Sequence, residues 1–300
     1  MRTFLRTAAL AAALLAPALS STAAAAETAL KPYVLAYVST GTAESELPLV
    51  KTALEKEGFQ TVGDYSPYKG ARILVVTSQE LKANAAKSGF GAYGATERVA
   101  FTAAPSGLQV SYFNPLYMAQ AYRMDGDLSS VAAEMEKALG RKQDFGSKNG
   151  LKPSKLRKYH YMITMPYFTS QVKLAKYPDQ AAALKAVEEG LAAHLGGTAE
   201  VYRVDIPGKD ESVFGAAITE GKGSDETVMA VTDRGELKHS AHLPYELVVS
   251  GGKVYMLPGK FRIALDFPDL TMGTFMKISG APGAIEKALR QAANPEKGRK

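Results

Sequence analysis

The sequence predicts an α+β protein of two tandem repeats, each with the order strand, helix, four strands, helix and a mainly antiparallel sheet. Three observations lead to this prediction. Residues 27–140 and residues 158–293 show the same succession of helix and strand patterns, and a glycine ends the first helix in both. Segments 112–115 and 255–258 both run from tyrosine to proline, at a constant offset along the chain. Self-similarity of this kind indicates repeated structural units.

The first repeat begins with a strand rich in Val, Tyr and Leu at 32–39. A helix follows at 42–58, where Thr42 is a suitable N-cap and Gly58 a suitable end. The remaining elements are strands at 59–65 and 71–78, a short helix at 79–88, a hairpin of 95–104 and 107–114, and a helix at 128–140.

The second repeat follows the same order with one additional strand, and Asp179 is the N-cap of its first helix and Gly196 its end. Its elements are a strand at 158–168, a helix at 179–197, strands at 199–206, 212–219, 226–233, 244–250 and 253–259, and a helix at 283–293. Pro258 ends the last of these strands, because proline cannot donate a hydrogen bond to a sheet.

Residues 260–267 alternate between apolar and polar side chains, which predicts a further extended piece at the sheet edge. Residues 141–157, between the repeats, are basic and contain glycine, which predicts a linker. Residues 294–300 are expected to form a disordered tail.

The N-terminus has the three parts of a secretory signal. Arg2 and Arg6 precede a short apolar core, and small residues lead to a cleavage site after Ala26. Residues 1–26 are therefore predicted to be a cleaved signal peptide, and the mature protein to be periplasmic. Removing the two arginines lowers the net charge from +6 to +4.

Composition excludes several classes of function. The chain is 46% hydrophobic and 22% charged, as expected for a globular protein. It has no run of five basic residues, so we expect no nucleic-acid partner. Beyond the N-terminus it has no apolar stretch long enough for a membrane span. It has no cysteine, which excludes disulfides and thiolate chemistry.

Candidate ligand-binding residues lie on the polar side of segment 260–267 and at the two matching tyrosines. Lys260, Arg262 and Asp266 could bind an anionic or amphipathic ligand, with Tyr112 and Tyr255 supplying area and hydroxyl groups. The alternative is an exposed ion pair, with the aromatic residues in the core. If the repeats pack together, we expect the functional surface where they meet.

Histidines and methionines suggest a second kind of site. His239 and His242 are three residues apart, and His160 and Met162 share one face of the predicted strand at 158–168. Imidazole with thioether suits copper in an oxidising compartment. The alternative is that the methionines fill the core and the histidines lie on the surface. No spacing in the sequence indicates catalytic residues.

The order strand, helix, four strands, helix and the glycine-ended first helix resemble two copies of a bacterial family, the domain of unknown function 302 family. The resemblance covers most of the mature chain and implies a TATA-binding-protein-like α+β fold. This family is usually met as a single domain, so the tandem form is a departure. The resemblance implies no catalytic residues.

These patterns favour an exported, non-catalytic binding protein for an unknown small ligand or envelope protein. One alternative is a periplasmic copper-binding protein that uses His and Met. Another is an enzyme whose site is assembled from residues distant in sequence, and a third is a purely structural role in the envelope.

Overall fold

The computed structural model describes residues 27–298, so the predicted signal peptide lies outside the described residues. The first unit contains a six-stranded antiparallel sheet, sheet 1, with the strand order β2-β3-β4-β5-β1-β6. Its strands are β1 (Tyr33–Ser39), β2 (Gln60–Tyr68), β3 (Ala71–Thr77), β4 (Glu97–Ala104), β5 (Gly107–Phe113) and β6 (Gln143–Phe145). Its helices are α1 (Ala43–Lys56), α2 (Gln79–Lys87), α3 (Pro115–Ala121), α4 (Ser129–Leu139) and α5 (Pro153–Leu156).

The second unit contains a five-stranded antiparallel sheet, sheet 2, with the strand order β7-β11-β10-β9-β8. Its strands are β7 (Val172–Lys176), β8 (Thr198–Asp205), β9 (Glu211–Ile218), β10 (Tyr245–Ser250) and β11 (Lys253–Met256). Its helices are α6 (Gln180–Ala192), α7 (Asp225–Thr232), α8 (Gly259–Asp266), α9 (Met272–Lys277), α10 (Ala281–Ala292) and α11 (Pro295–Gly298). No helix within residues 27–298 is both long and apolar enough to cross a bilayer.

The two sheets share one strand order. Strands β1 to β5 correspond to β7 to β11, and a helix follows the first, third and fifth strand of each set. The α+β class and the antiparallel sheets are confirmed, and the common order is consistent with the predicted repeats. In each unit the four strands after the first helix form two pairs separated by a helix, which is α2 at the position of the predicted short helix and α7 where a strand was predicted.

The prediction of a strand at 226–233 is wrong, because this segment lies in α7. The Ser224 hydroxyl caps the helix by accepting a hydrogen bond from the Thr227 backbone N–H. Asp225 and Glu226 occupy the first turn, where the helix dipole favours the negative charge of the exposed Glu226. These local interactions outweigh the strand preference of the valines that follow.

The prediction of an extended segment at 260–267 is also wrong, because these residues form α8. The helix is buried on two sides. Phe261 and Leu265 pack into the core shared with the first unit, whereas Ile263 and Phe267 pack into the core of the second unit. The two residues of each pair are four positions apart, so each pair lies on one face of the helix. Because the two pairs are offset by two residues, apolar side chains fall at every second position of the sequence, as they do in a strand.

Three other assignments change in the structure. Residues 158–168 are irregular, and the strand predicted there begins only at Val172. The predicted linker is folded, because β6 pairs with β1 and Leu156 of α5 is buried. The described part of the predicted disordered tail is α11, which packs against α6 and α10.

The inner faces of the two sheets pack together, and we call this junction, together with α8, the seam. The outer face of sheet 1 packs on α1 and α4, and that of sheet 2 on α6 and α10. Alternate residues of sheet 2, such as Tyr202, Val204 and Val213, join the core of the first unit. Gly63 permits close approach, since a Cβ there would lie 2.7 Å from the Val201 carbonyl oxygen.

Candidate functional site

A cluster of buried charged side chains lies at the seam. Arg98 on β4 and Arg262 on α8 both pair with Glu246 on β10, with nitrogen–oxygen distances of 3.4 Å. Arg262 also donates to Asp266, one helical turn along α8, and to the His242 carbonyl oxygen at 2.8 Å. All four charged residues are buried. Their charges balance, as buried ions require.

His242 is part of this cluster and is buried. Burial lowers the pKa of His242 to about 4, although Asp266 opposes this change. The neutral ring donates from Nδ1 to Asp266 at 2.7 Å and accepts at Nε2 from the Tyr245 hydroxyl at 3.1 Å. Burial alone would raise the pKa of Asp266, but Arg262 and His242 lower it below the ordinary value. Both ring nitrogens are therefore engaged, and neither is left for a metal.

His239 lies at the edge of the seam and is only partly buried. Asp233 accepts two hydrogen bonds from His239, one from the ring Nδ1 at 2.8 Å and one from the backbone N–H at 3.0 Å. The imidazole lies among three aromatic rings, with centroid distances of 5.1 Å to Tyr33, 5.4 Å to Phe145 and 5.2 Å to Phe267. Since a carboxylate fixes the proton on Nδ1, Nε2 is the nitrogen left to bind another group.

His239 lines an open cleft of about 360 Å³. Gly146, just after β6, forms one wall, and the second unit provides the rest. Val231, Phe267 and Leu270 supply apolar surface, while Arg234, Asp269 and the threonines supply polar groups. The cleft therefore combines apolar walls with a few polar groups, the usual composition of a small-molecule site.

The structure separates most of the residues predicted to bind a ligand. Arg262 and Asp266 are adjacent but buried, whereas Lys260 on the same helix is exposed. Tyr112 faces away from the seam, with its hydroxyl 3.3 Å from the Gly140 carbonyl oxygen. Tyr255 packs edge-on against Phe90, with the ring centroids 5.0 Å apart. The five side chains do not converge on one site.

The residues predicted to bind copper are also dispersed. The Phe267 ring lies 5.2 Å from both the His239 and the His242 ring, and only His239 lines the cleft. His160 lies in the irregular segment 158–171, with Nδ1 2.7 Å from the Met162 carbonyl oxygen. Within residues 27–298, no three His, Asp or Glu side chains are grouped to hold a metal ion.

Sequence reasoning identified His239, but not Asp233, Arg98 or Glu246. A weak indication of Asp233 was available, because it precedes His239 by six residues near the end of α7. Arg98 directly precedes the apolar residues 99–101 of β4, in a strand that is buried at this end, where a charged side chain is unusual. The pairing of Arg98 with Glu246 could not be read from spacing, because 148 residues separate them.

Another seam contact predicts a pH-dependent stability. The Tyr65 hydroxyl donates to Asp225 at 3.2 Å, and burial raises the pKa of this carboxyl to about 8. Between about pH 4 and pH 8 the unfolded chain loses this proton while the folded protein keeps it. Stability from this group is therefore complete below about pH 4 and is lost as the pH rises to about 8.

Urea unfolding at several pH values tests this expectation. The variant Asp225→Asn should gain stability relative to the unsubstituted protein as the pH is raised from 5 to about 8. A stability difference that does not change with pH would contradict the expected protonation of Asp225.

A wider open cleft of about 690 Å³ lies at one end of sheet 1. Its walls come from the first unit alone, including Glu44, Lys69 and Arg72. The guanidinium of Arg72 is already bound to both oxygens of Asp64, at 2.7 and 3.0 Å. The cleft at His239, in contrast, takes residues from both units, as expected of the functional surface.

Comparisons with protein-family models, curated proteins and solved structures found no match to this chain. The resemblance to the domain of unknown function 302 family therefore stays a prediction from element order.

Proposed function

We propose that this protein is an exported, periplasmic, non-catalytic binding protein that holds a small amphipathic anion in the cleft at the seam. The orientation of His239 supports this function. Asp233 and three aromatic rings fix the position of its imidazole, and Nε2 is left for a ligand. An oriented polar group loses little freedom on binding, which favours affinity.

The chemistry of the cleft favours an anion with an apolar body. Arg234 is exposed and lines the cleft together with His239, so its guanidinium can bind an acidic group while Nε2 of His239 accepts a hydrogen bond from a hydroxyl of the same ligand. Asp269 is the cleft's acidic residue, and its carboxylate already accepts a hydrogen bond from the Lys148 backbone N–H. Phe267 and Leu270 offer apolar surface to the rest of the ligand.

The His239–Asp233 pair also supports a second candidate, an enzyme in which His239 is a general base. A carboxylate that holds Nδ1 keeps Nε2 ready to accept a proton. Thr271 and Thr274 line the same cleft and carry hydroxyl groups. Chemical conversion of a bound compound, lost in His239→Gln, would favour this candidate over a binding protein.

A thermal-unfolding screen of small carboxylates and phosphates tests the proposed function. A true ligand at 100 times its Kd stabilises the folded protein by about 2.7 kcal/mol. Titration calorimetry should then show at least a tenfold higher Kd for His239→Gln and for Arg234→Gln. These substitutions remove the guanidinium expected to bind the acidic group and the ring nitrogen expected to accept a hydrogen bond from the ligand.

Lys260→Gln is the matched control, because Lys260 is exposed and does not line the cleft. Its Kd should equal that of the unsubstituted protein. Arg234 is exposed, so its replacement leaves the fold intact even where the His239 variant is less stable. A ligand whose Kd is unchanged in both cleft variants would place the binding site elsewhere.

A further inference from the structure

An exposed apolar patch lies beside the cleft, on the segment before β7 and on α9. We call it the methionine patch, and its members are Met162, Ile163, Met165, Met272, Phe275 and Met276. Ile163 is 93% exposed and Met276 is 60% exposed. Large apolar side chains at such exposure, gathered on one surface, indicate an interaction site.

The structure makes this patch continuous. Met165 and Tyr161 line the same apolar groove as Met272 and Phe275, so the segment before β7 lies against α9. The Tyr161 hydroxyl fixes this arrangement by donating to the Leu270 carbonyl oxygen at 3.3 Å. Ile163 projects from the segment rather than filling the groove.

Basic residues border the patch and outnumber the acidic ones, among which Glu27 accepts a hydrogen bond from the Ser154 hydroxyl at 2.6 Å. Tyr161 also lines a second cleft with Lys155 and Lys158, both of them exposed. Residues 145–178 contain no Asp or Glu but include Lys148, Lys152, Lys155, Lys158, Lys173 and Lys176. Residues 270–285 contain Lys277 and again no acidic residue. Asp269, between these segments, accepts hydrogen bonds from Ser147 and Lys148.

We propose that the methionine patch and its lysine border dock the protein on an anionic lipid surface. A projecting isoleucine enters the boundary between headgroups and acyl chains, and flexible methionines adapt to it. Exposed lysines beside it attract lipid phosphates. The proposal goes beyond the ligand cleft, which shares Phe267 and Leu270 with the groove of the patch, and its test uses none of the cleft's polar groups.

The absence of tryptophan from the sequence gives a direct test. The variant Ile163→Trp carries the single tryptophan of the protein at the projecting position, and it can be excited selectively over the 15 tyrosines. Its emission should shift to the blue with vesicles of equimolar phosphatidylglycerol and phosphatidylcholine, and much less with phosphatidylcholine alone. Leu49→Trp is the matched control, since Leu49 is 65% exposed on α1, on the outer face of sheet 1.

The lysine border is tested in the same fluorescent protein. Each of Lys155→Ala and Lys158→Ala should weaken partition into anionic vesicles about fivefold. Lys56→Ala on α1 is the control and should leave partition unchanged. All of these proteins keep the same N-terminus, so differences between them report on the patch.

Three results would overturn the proposal. One is unchanged emission of the Ile163→Trp protein with anionic vesicles. Another is an equal shift with both kinds of vesicle that the lysine substitutions do not alter. The third is a shift that depends on protein concentration without vesicles, which would show that a second copy of the chain covers the patch.

Discussion

Replacing Arg262 by methionine is expected to lower the free energy of unfolding by about 3–5 kcal/mol. Asp266 would remain buried without its cationic partner, and Glu246 would keep only Arg98. The large cost comes from leaving a charge uncompensated, because the net gain from a complete buried pair is small. Urea unfolding monitored by circular dichroism measures this loss.

A double substitution separates lost charge balance from lost packing. Arg262→Met combined with Asp266→Leu removes both charges, so it should be more stable than Arg262→Met alone. Lys185→Met is the control, because Lys185 and Glu189 form a pair with the same four-residue spacing on the exposed side of α6. That substitution should cost no more than about 0.5 kcal/mol. A loss below 1 kcal/mol for Arg262→Met would contradict the buried cluster.

The second large effect is expected at the crossing of α6 and α10. A Cβ added at Gly190 would lie 1.8 Å from the Ala292 carbonyl oxygen. Since this neighbour is main chain, Gly190→Ala has to move one helix away from the other. Overpacking of this kind costs about 1–3 kcal/mol or more. The unfolding midpoint in urea should fall accordingly.

Gly283→Ala is the matched control, because Gly283 lies in α10 and an added Cβ there meets nothing within 4 Å. Alanine favours helix, so this variant should be more stable by about 0.4–1 kcal/mol. If both glycine variants gained stability, the close approach of α6 and α10 would be wrong.

Local rules predicted much of the first unit. The strand predicted at 32–39 is β1, Tyr33–Ser39, and the helix predicted at 42–58 is α1, Ala43–Lys56. Thr42 forms the expected cap, accepting a hydrogen bond from the Ser45 backbone N–H. These elements were predictable because the capping residue and the apolar spacing lie within the element itself.

Segment 260–267 was not predictable by the same rules. Its alternation suggested one buried and one exposed face, whereas α8 is buried on opposite sides. Arg262 and Asp266 were assigned to solvent because they are charged, yet they neutralise each other inside the protein. Burial of charge depends on partners from β4 and β10, and no local pattern contains that information.

The candidate site could be predicted only in part. The junction of the two units was expected to carry function, and the proposed cleft lies there. His239 was selected as a metal ligand beside His242, but the structure assigns the two rings to different neighbours. The wall of aromatic rings around His239 comes from both units, so it exists only after they pack.

The contact between Arg98 and Glu246 has a consequence for how the protein acquires its structure. During synthesis β4 is complete long before β10 exists, since 148 residues lie between the two side chains. Until then the inner face of sheet 1 holds an arginine without its carboxylate. Bringing such distant residues together is entropically slow. The two units, although alike in strand order, are thus expected to fold together in one late, cooperative step.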